Sequence, residues 1–222
     1  MIHKADEVVL LGLKKKIDTC PICNGTNLKC SCYGAYYLAF QIITSDIPLK
    51  YRGFTLEDIS SATSEKNVAR IRKYMSQLDK YRRKGTGLYL YGNTGTAKSV
   101  FGCIILIEAL RKGYTCKFAT VDQYRTAVLE KQYDLLTNFQ SVDFLLLDDV
   151  GREFHDSKGL VDSVLDDLIR LRSDSLLPTI MTTNKEEPDT FRLSSILKEH
   201  FIRIVFDTAD YRKQIEKDLK KT

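Results

Sequence analysis

The chain has 222 residues, 43% of them hydrophobic and 28% charged, with a formal net charge of +5, which suits a globular protein with one α/β domain and a small additional module. The longest apolar run, FGCIILIEAL, is broken by Glu108 and is far shorter than the roughly 20 residues of a membrane-spanning helix. The N-terminal sequence MIHKADEVVLLGLKKK lacks the small-residue cleavage site of a signal peptide, so we expect a cytoplasmic protein with no membrane partner.

The charge is unevenly distributed along the chain. Residues 1–84 hold 15 Lys and Arg against 8 Asp and Glu, whereas residues 85–222 hold 19 against 21. A basic first part favours contacts with polyanions or acidic partners there. The alternative is that these charges serve only solubility.

Four of the six cysteines lie close together near the N-terminus, in CPICNGTNLKCSC. They supply four thiolates that could close a tetrahedral zinc site, namely Cys20, Cys23, Cys30 and Cys32. The C-x-C pair is tighter than usual, so His3 is an alternative for one ligand. Disulfides are a further alternative, which a reducing cytoplasm disfavours. We predict a zinc-binding module over residues 1–46.

Two segments with helical character follow the cysteines. The first, YGAYYLAFQIITSDIP, ends at Pro48 and predicts a short helix that packs on the cysteine module or docks a partner. The second runs from Phe54 to Lys84 and is closed by Gly85, with apolar residues at spacings of four and three, Ile71, Met75 and Leu78. Residues 47–84 are therefore interpreted as a linker and a leading helix.

Beyond Gly85 the chain alternates strands with helices. The predicted strands are GLYLY, TCKFATV, DFLLLD, PTIMTTN and FIRIVF, and the predicted helices are SVFGCIILIEALRKG and LVDSVLDDLIRLRS. Strands separated by helices of this length require crossover connections, so we predict a largely parallel sheet covered by helices on both faces, in a core of residues 85–222.

The stretch GNTGTAKS follows a predicted strand and opens a predicted helix, which is the context of a phosphate-binding loop. Gly92 and Gly95 let successive N–H groups point at phosphate oxygens. Lys98 would bridge the β- and γ-phosphates, and Ser99 would bind Mg²⁺. Ala97 occupies a position usually held by glycine, and its methyl group predicts weakened rather than abolished binding. The predicted nucleotide-binding residues are Gly92, Asn93, Thr94, Gly95, Thr96, Ala97, Lys98 and Ser99.

Polar residues end two of the later predicted strands. VDFLLLDDVG ends in Asp148 and Asp149, and PTIMTTN ends in Asn184. Parallel strands deliver their C-terminal ends to a common ligand crevice. One carboxylate can hold Mg²⁺ while the next polarises the attacking water, as hydrolysis of a phosphate anhydride requires. The Asn184 amide could reach both the γ-phosphate and that water.

The order of GNTGTAKS, LLLDDVG, IMTTN and DYR resembles the AAA+ ATPases of the DnaC and IstB type, which are bacterial and phage replicative helicase loaders and their transposition relatives. IPLKYRGFTLEDI, residues 47–59, also looks like the segment that leads into that family's ATPase core. The resemblance covers about residues 47–212.

This resemblance implies a nucleotide site of the ASCE class of P-loop proteins, with ATP or ADP and Mg²⁺ as ligands. It assigns Lys98 and Ser99 to the Walker A roles, Asp148 to Mg²⁺ and Asp149 to the catalytic base. Asn184 becomes sensor 1, and Arg212 becomes the cation that resembles sensor 2. Only ten residues follow Arg212, so we expect no C-terminal helical lid.

The function implied is an ATP-dependent loader that binds a hexameric replicative helicase, assembles as a homo-oligomer on it and helps place it on single-stranded DNA. The zinc-binding module would grip the helicase, and Lys117, Arg125 and Lys131 are candidate DNA contacts. The alternatives are a transposition helper like IstB, a small-molecule P-loop kinase, and a nucleotide-gated zinc adaptor without turnover.

One stretch departs from the family pattern. Loaders of this type usually carry a Ser-Arg pair before the final strand, whose arginine reaches the neighbouring subunit's site. Here the stretch reads RLSSILKEHFIRI, with Ile196 where that arginine would align. Arg192 or Arg203 would have to supply the cation, and we favour Arg192.

Overall fold

The computed structural model describes residues 4–27, 29–151, 160–185 and 191–208. Its helices are α1 Lys4–Asp18, α2 Ser31–Thr44, α3 Glu65–Ser76, α4 Leu78–Lys84, α5 Lys98–Arg111, α6 Val121–Leu129, α7 Tyr133–Ser141, α8 Leu160–Asp174 and α9 Phe191–His200. Its strands are β1 Gly87–Gly92, β2 Cys116–Thr120, β3 Phe144–Val150, β4 Thr179–Thr183 and β5 Phe201–Phe206. Short 3-10 turns occupy Leu49–Tyr51 and Ser60–Ala62.

The five strands form one parallel sheet in the order β2-β3-β4-β1-β5. This confirms the predicted α/β class and all five predicted strands. Because β4 is inserted between β1 and β3, the residues that follow β4 lie between the ends of those two strands. The strand order therefore decides which predicted site residues become neighbours.

Side chains of the sheet alternate between two apolar cores, as the two-residue period of a strand requires. One core contains Leu88 and Leu90 together with most of α5 and residues of α3. The other contains Tyr89 and residues of α6, α7, α8 and α9. The predicted sandwich of helices around the sheet is confirmed by these two layers.

Helix α5 lies unusually close to the centre of the sheet. A Cβ atom on Gly102 would come within 2.9 Å of the Leu146 side chain on β3. The helix is apolar on nearly every side, because β3, β4, α2 and α3 all contact it. This packing fixes the start of α5, which carries the phosphate-binding sequence, against the middle of the sheet.

The segment before the sheet is less regular than predicted. The helical pattern predicted over 54–84 is divided in the structure, where the segment contains a 3-10 turn and two helices, α3 and α4. Ser64 caps α3 by accepting a hydrogen bond from the Asn67 N–H, and Gln77, at φ −116°, interrupts the helical backbone between α3 and α4. Gly85 ends α4 at φ +66°, as its position in the sequence indicated.

Helix α2 packs directly on the sheet-forming part of the chain, and α1 packs on α2. Leu38 and Ile42 of α2 contact the α5 core, and Ile47 is completely buried in it. The Lys117 ammonium on β2 lies 2.7 Å from Asp46 just after α2. Apolar contacts and an ion pair therefore both join the cysteine-bearing segment to the sheet.

Among the described helices, none combines the length and apolar character needed to cross a bilayer. Within the described residues no helical lid follows β5, after which the description extends only to residue 208.

Candidate nucleotide site and cysteine cluster

The phosphate-binding sequence forms the loop between β1 and α5. Gly92 has φ +126°, and a Cβ atom there would lie 2.2 Å from the Phe206 carbonyl oxygen of β5. The Asn93 N–H donates to that same oxygen at 2.8 Å. Only glycine fits at this position, because the loop turns directly against the end of the neighbouring strand.

Lys98 is buried at the start of α5, and its ammonium group lies under the loop. Its Nζ donates to the carbonyl oxygens of Gly92 at 2.9 Å and of Asn93 at 2.6 Å. Thr96 is also buried, and its hydroxyl donates to the Asn93 carbonyl at 2.8 Å. The positive charge is therefore held at the N-terminus of α5, where the helix dipole also favours an anion.

Ala97 is the residue immediately before α5, with φ 62° and ψ 19°. This left-handed conformation costs an L-residue with a Cβ atom about 1–2 kcal/mol. The sequence indicated that a methyl group would intrude near the phosphates. The structure adds that the alanine also strains the backbone at this position.

Asp148 lies at the end of β3 and is buried. Its carboxylate accepts a hydrogen bond from the Thr182 hydroxyl, and the Ser99 hydroxyl is near enough to interact with it. Burial raises the pKa of Asp148, and these two hydroxyls only partly oppose that rise. The two residues predicted to bind Mg²⁺, Ser99 and Asp148, are thus brought together from opposite sides of the site.

Asp149 leaves the regular strand conformation. It has φ +61°, and the pairing of β3 with β4 shifts between Leu147 and Val150. Its N–H donates to the Thr182 hydroxyl at 3.0 Å. Because of this local bulge, the two acids differ in orientation. Asp148 is buried, whereas Asp149 is half-exposed.

Asn184 is exposed and directly follows β4. Because β4 lies between β1 and β3, Asn184 follows β4 at the same C-terminal end of the sheet as the loop and the two acids. Carboxylate and hydroxyl oxygens are the ligands that Mg²⁺ prefers, so Ser99 and Asp148 fit that ion. The strand order therefore brings a buried lysine, a pair of acids and an amide to the C-terminal end of the parallel sheet.

The arginines predicted from the family resemblance are only partly described. Arg212 and the side chain of Arg192 lie outside the described residues. The Arg203 guanidinium lies 5.2 Å from the ring centre of Tyr91 and 5.9 Å from that of Tyr89. Arg203 therefore lies within cation–π distance of two aromatic rings of its own sheet. Ile196, at the position where the family's arginine would align, is buried.

The three candidate DNA contacts differ in environment. Lys117 is paired with Asp46, with only 12% of its side chain exposed, which makes it a structural contact. Arg125 lies 3.8 Å from Asp122 and lines a small, mainly apolar pocket between α6 and α8. Lys131 is exposed at the end of α6 and is the most accessible of the three.

The four N-terminal cysteines form a compact cluster. Their sulfur atoms all lie within 4.8 Å of one another, at 3.8 Å for Cys20 and Cys30 and 3.6 Å for Cys23 and Cys32. A tetrahedral zinc ion with Zn–S bonds of about 2.3 Å places its sulfurs about 3.8 Å apart. Disulfide sulfurs would be separated by about 2.05 Å. The cluster therefore fits zinc, whereas the alternative ligand His3 lies outside the described residues.

Local backbone structure brings the two cysteine pairs together. Asn24 at φ +45° and Gly25 at φ +74° turn the chain after Cys23, while Cys30 precedes the first turn of α2. Burial and the neighbouring thiols raise the pKa of Cys32 to about 12. A bound divalent cation would reverse that effect, because it stabilises thiolates.

The sequence pattern does not predict a role for two buried polar residues, Thr182 and Arg172. Thr182 contacts both acids of the nucleotide site, and Arg172 of α8 makes four hydrogen bonds in the second core. A threonine in a strand and an arginine in an amphipathic helix are ordinary in sequence. Neither pattern distinguishes a buried polar contact from a solvent-exposed side chain.

Comparison with known proteins agrees with this geometry. No family model matches the chain. The curated replicative helicase loader DnaI of Bacillus subtilis (strain 168) is 29% identical over 126 residues, which is 53% of this chain and 37% of the relative. The chain thus matches little more than a third of that relative's length.

Solved structures share the fold. A DnaI structure has a TM-score of 0.59 at 18% identity, covering 73% of this chain and 93% of the other. A structure of the DnaC helicase loader has a TM-score of 0.58 at 19% identity, and the match covers 72% of this chain and 100% of the other. A structure of AMPPCP-bound DnaA from Aquifex aeolicus has a TM-score of 0.59 at 19% identity, and the match covers 80% of this chain and 57% of the other. The chain is thus similar in sequence to a replicative helicase loader and shares its fold with solved structures of DnaI, DnaC and DnaA.

Proposed function

We propose that this protein is an ATP-dependent loader that binds a hexameric replicative helicase and helps place it on single-stranded DNA. The observation that carries the proposal is the contact between Ser99 and Asp148 beside the buried Lys98. It joins the phosphate-binding loop to the acids of β3 in one site. The sequence similarity to a replicative helicase loader supports this role over that of a transposition helper.

In the proposed reaction each site residue has a distinct part. Lys98 and the N–H groups of the loop bind the β- and γ-phosphates, and Ser99 and Asp148 hold Mg²⁺. The ion, when bound, neutralises charge on the phosphates and helps orient them. Asp149 accepts the proton of the attacking water, and Asn184 orients that water and the γ-phosphate. Arg212 would add a further cation.

The cysteine module offers a surface for the helicase. Its exposed apolar side chains include Val8, Leu11, Ile22 and Tyr37, and 81% of Ile22 is accessible. Large exposed apolar side chains contribute to protein interaction sites where they form a patch. In the proposal, zinc at the four cysteines holds α1 and α2 in the arrangement that presents these residues.

Two substitutions test the nucleotide roles. Lys98→Ala is expected to abolish ATP binding because the loop loses its cation, whereas Asp149→Asn keeps binding and loses turnover. Fluorescent-nucleotide titration and phosphate release measure the two properties separately. Equal loss of nucleotide affinity in both variants would contradict the assigned roles. Normal binding with no turnover, even with helicase and DNA present, would favour the nucleotide-gated adaptor.

A third substitution tests the partner. Ile22→Asp is expected to weaken capture of a purified hexameric replicative helicase without changing ATP affinity. Leu176→Asp is the matched control, because Leu176 is also exposed but lies between α8 and β4. If both variants bind the helicase as tightly as the unsubstituted protein, the module surface is not the helicase contact.

A further inference from the structure

The backbone of β3 bulges opposite a single residue of β4. Leu147 is paired with Met181 and Val150 with Thr183, so Asp148 and Asp149 together face Thr182. A bulge of this kind places two residues on one strand across from one on the other. Thr182 is only 1% exposed. It is therefore fixed inside the sheet beside both acids.

The Thr182 hydroxyl makes a hydrogen bond to each acid. It accepts from the Asp149 N–H at 3.0 Å and donates to Oδ1 of Asp148. A hydroxyl has one hydrogen to donate, and here that hydrogen is directed to the Asp148 carboxylate. Because a β-branched side chain in a strand has few accessible rotamers, these two contacts define the position of the hydroxyl.

The two contacts have different consequences for the site. On Asp148, the Thr182 hydroxyl donates to Oδ1, and the Ser99 hydroxyl interacts with the same carboxylate. On Asp149, the contact satisfies a backbone N–H in a residue with φ +61°. A non-glycine residue in that conformation needs support from its surroundings. Thr182 thus orients one acid through its side chain and the other through its backbone.

We propose that Thr182 is a positioning residue for the magnesium-nucleotide site, which couples the orientations of Asp148 and Asp149. The inference rests on the proposed function. Removal of groups that orient metal ligands typically lowers metal affinity by about 10- to 100-fold. The effect of losing the hydroxyl should therefore appear in the dependence of nucleotide binding on Mg²⁺, and to a smaller extent in nucleotide binding without the ion.

The test compares Thr182→Val, which keeps the shape and removes the hydroxyl, with Thr182→Ser, which keeps the hydroxyl. Thr179→Val is the matched control, since Thr179 is also buried on β4 but its hydroxyl accepts from Arg172. Fluorescent ADP is titrated into each protein in EDTA and at increasing Mg²⁺. ADP avoids any contribution from turnover. Thermal unfolding without ligand measures the general cost of each change.

We expect Thr182→Val to raise the Mg²⁺ concentration for half-maximal enhancement of ADP binding by about 10-fold or more, as the loss of groups that orient metal ligands does elsewhere. ADP affinity in EDTA should change much less. Thr182→Ser and Thr179→Val should stay within about 3-fold of the unsubstituted protein. If the valine variant does not fold, Thr182→Cys provides the same comparison with serine, because a thiol is only a weak donor.

Unaltered Mg²⁺ dependence in Thr182→Val would overturn this inference while leaving the proposed function intact. An equal change in Thr179→Val would also overturn it, because the effect would then come from general loss of stability. If the unsubstituted protein binds neither ADP nor ATP under any condition, the proposed function itself fails and this inference fails with it.

Discussion

Ala97 adopts a left-handed conformation immediately before the helix that carries Lys98. A glycine would hold the same φ and ψ without interference from a Cβ atom. The loop still forms with alanine at this position, since Gly92 and Gly95 supply the other positive φ angles. We therefore expect Ala97 to weaken phosphate binding locally without changing the path of the chain.

Ala97→Gly is expected to strengthen nucleotide binding several-fold. Relief of strain amounts to about 1–2 kcal/mol, and the greater freedom of glycine in the unfolded chain removes about 0.4–1 kcal/mol of that gain. The free energy of unfolding should thus rise by about 0.5 kcal/mol or slightly more. Urea unfolding and ADP titration measure the two effects.

Ala109→Gly is the control for this prediction, because Ala109 is buried in regular helical conformation within the same helix. Glycine there should lower the free energy of unfolding by about 1 kcal/mol. If glycine at 97 lowers stability as much as glycine at 109, residue 97 does not carry the strain that its φ angle indicates.

At the scale of elements, α8 is tied to its neighbours by the buried Arg172. The guanidinium donates to the carbonyl oxygens of Phe139 at 2.9 Å and Val142 at 3.0 Å on α7 and its C-cap, and to Pro178 at 2.9 Å before β4. Burial, with the nearby charge of Arg82, lowers the pKa of Arg172 to about 9. Arg172 thus remains cationic at neutral pH and binds the open carbonyl end of α7.

Arg172→Leu is expected to lower the free energy of unfolding by about 2–4 kcal/mol, because several buried carbonyl groups lose their donor. Arg170→Leu provides the comparison, since Arg170 is exposed on the same helix and should change stability by less than about 0.5 kcal/mol. Chemical denaturation of both variants measures the difference. Similar small effects would show that solvent or the apolar core replaces the Arg172 contacts.

At the scale of the whole molecule, we expect the cysteine segment to need its metal in order to fold, whereas the sheet-forming core folds without that segment. We predict about one zinc ion per chain, bound by Cys20, Cys23, Cys30 and Cys32. Cys20→Ser or Cys23→Ser should unfold residues 1–46, because so short a segment buries too little to fold without its metal. ATP binding should persist, and helicase binding should be lost.

The same substitutions should also lower the thermal midpoint of the remaining core by a few degrees. Leu38 and Ile42 cover part of that core, and a loss of about 1 kcal/mol shifts the midpoint of a protein of this size by about 2–4 °C. Metal analysis, circular dichroism and nucleotide titration test the three expectations. Cys116→Ser, outside the cluster, should retain the zinc. Protein purified without chelators that contains no zinc would contradict the prediction.

The sequence by itself determined the kind of fold and most of the candidate site. Apolar runs alternating with helical segments indicated the five parallel strands, and the residues at their ends indicated Lys98, Ser99, Asp148, Asp149 and Asn184. The four cysteines indicated their cluster by spacing alone. The predictions of the strands and of the cysteine cluster succeeded because periodicity and short spacings are properties of neighbouring residues in the chain. The roles of the residues at the strand ends, which short motifs indicate, stay predictions.

The tertiary structure alone decided which of these residues meet. Strand order placed Asn184 between the loop and the acids, and a two-residue bulge placed Thr182 against both Asp148 and Asp149. It also buried Arg172 and paired Lys117 with Asp46. The sequence could not show these contacts, because they join residues far apart in the chain, and burial depends on how separate elements pack rather than on local pattern.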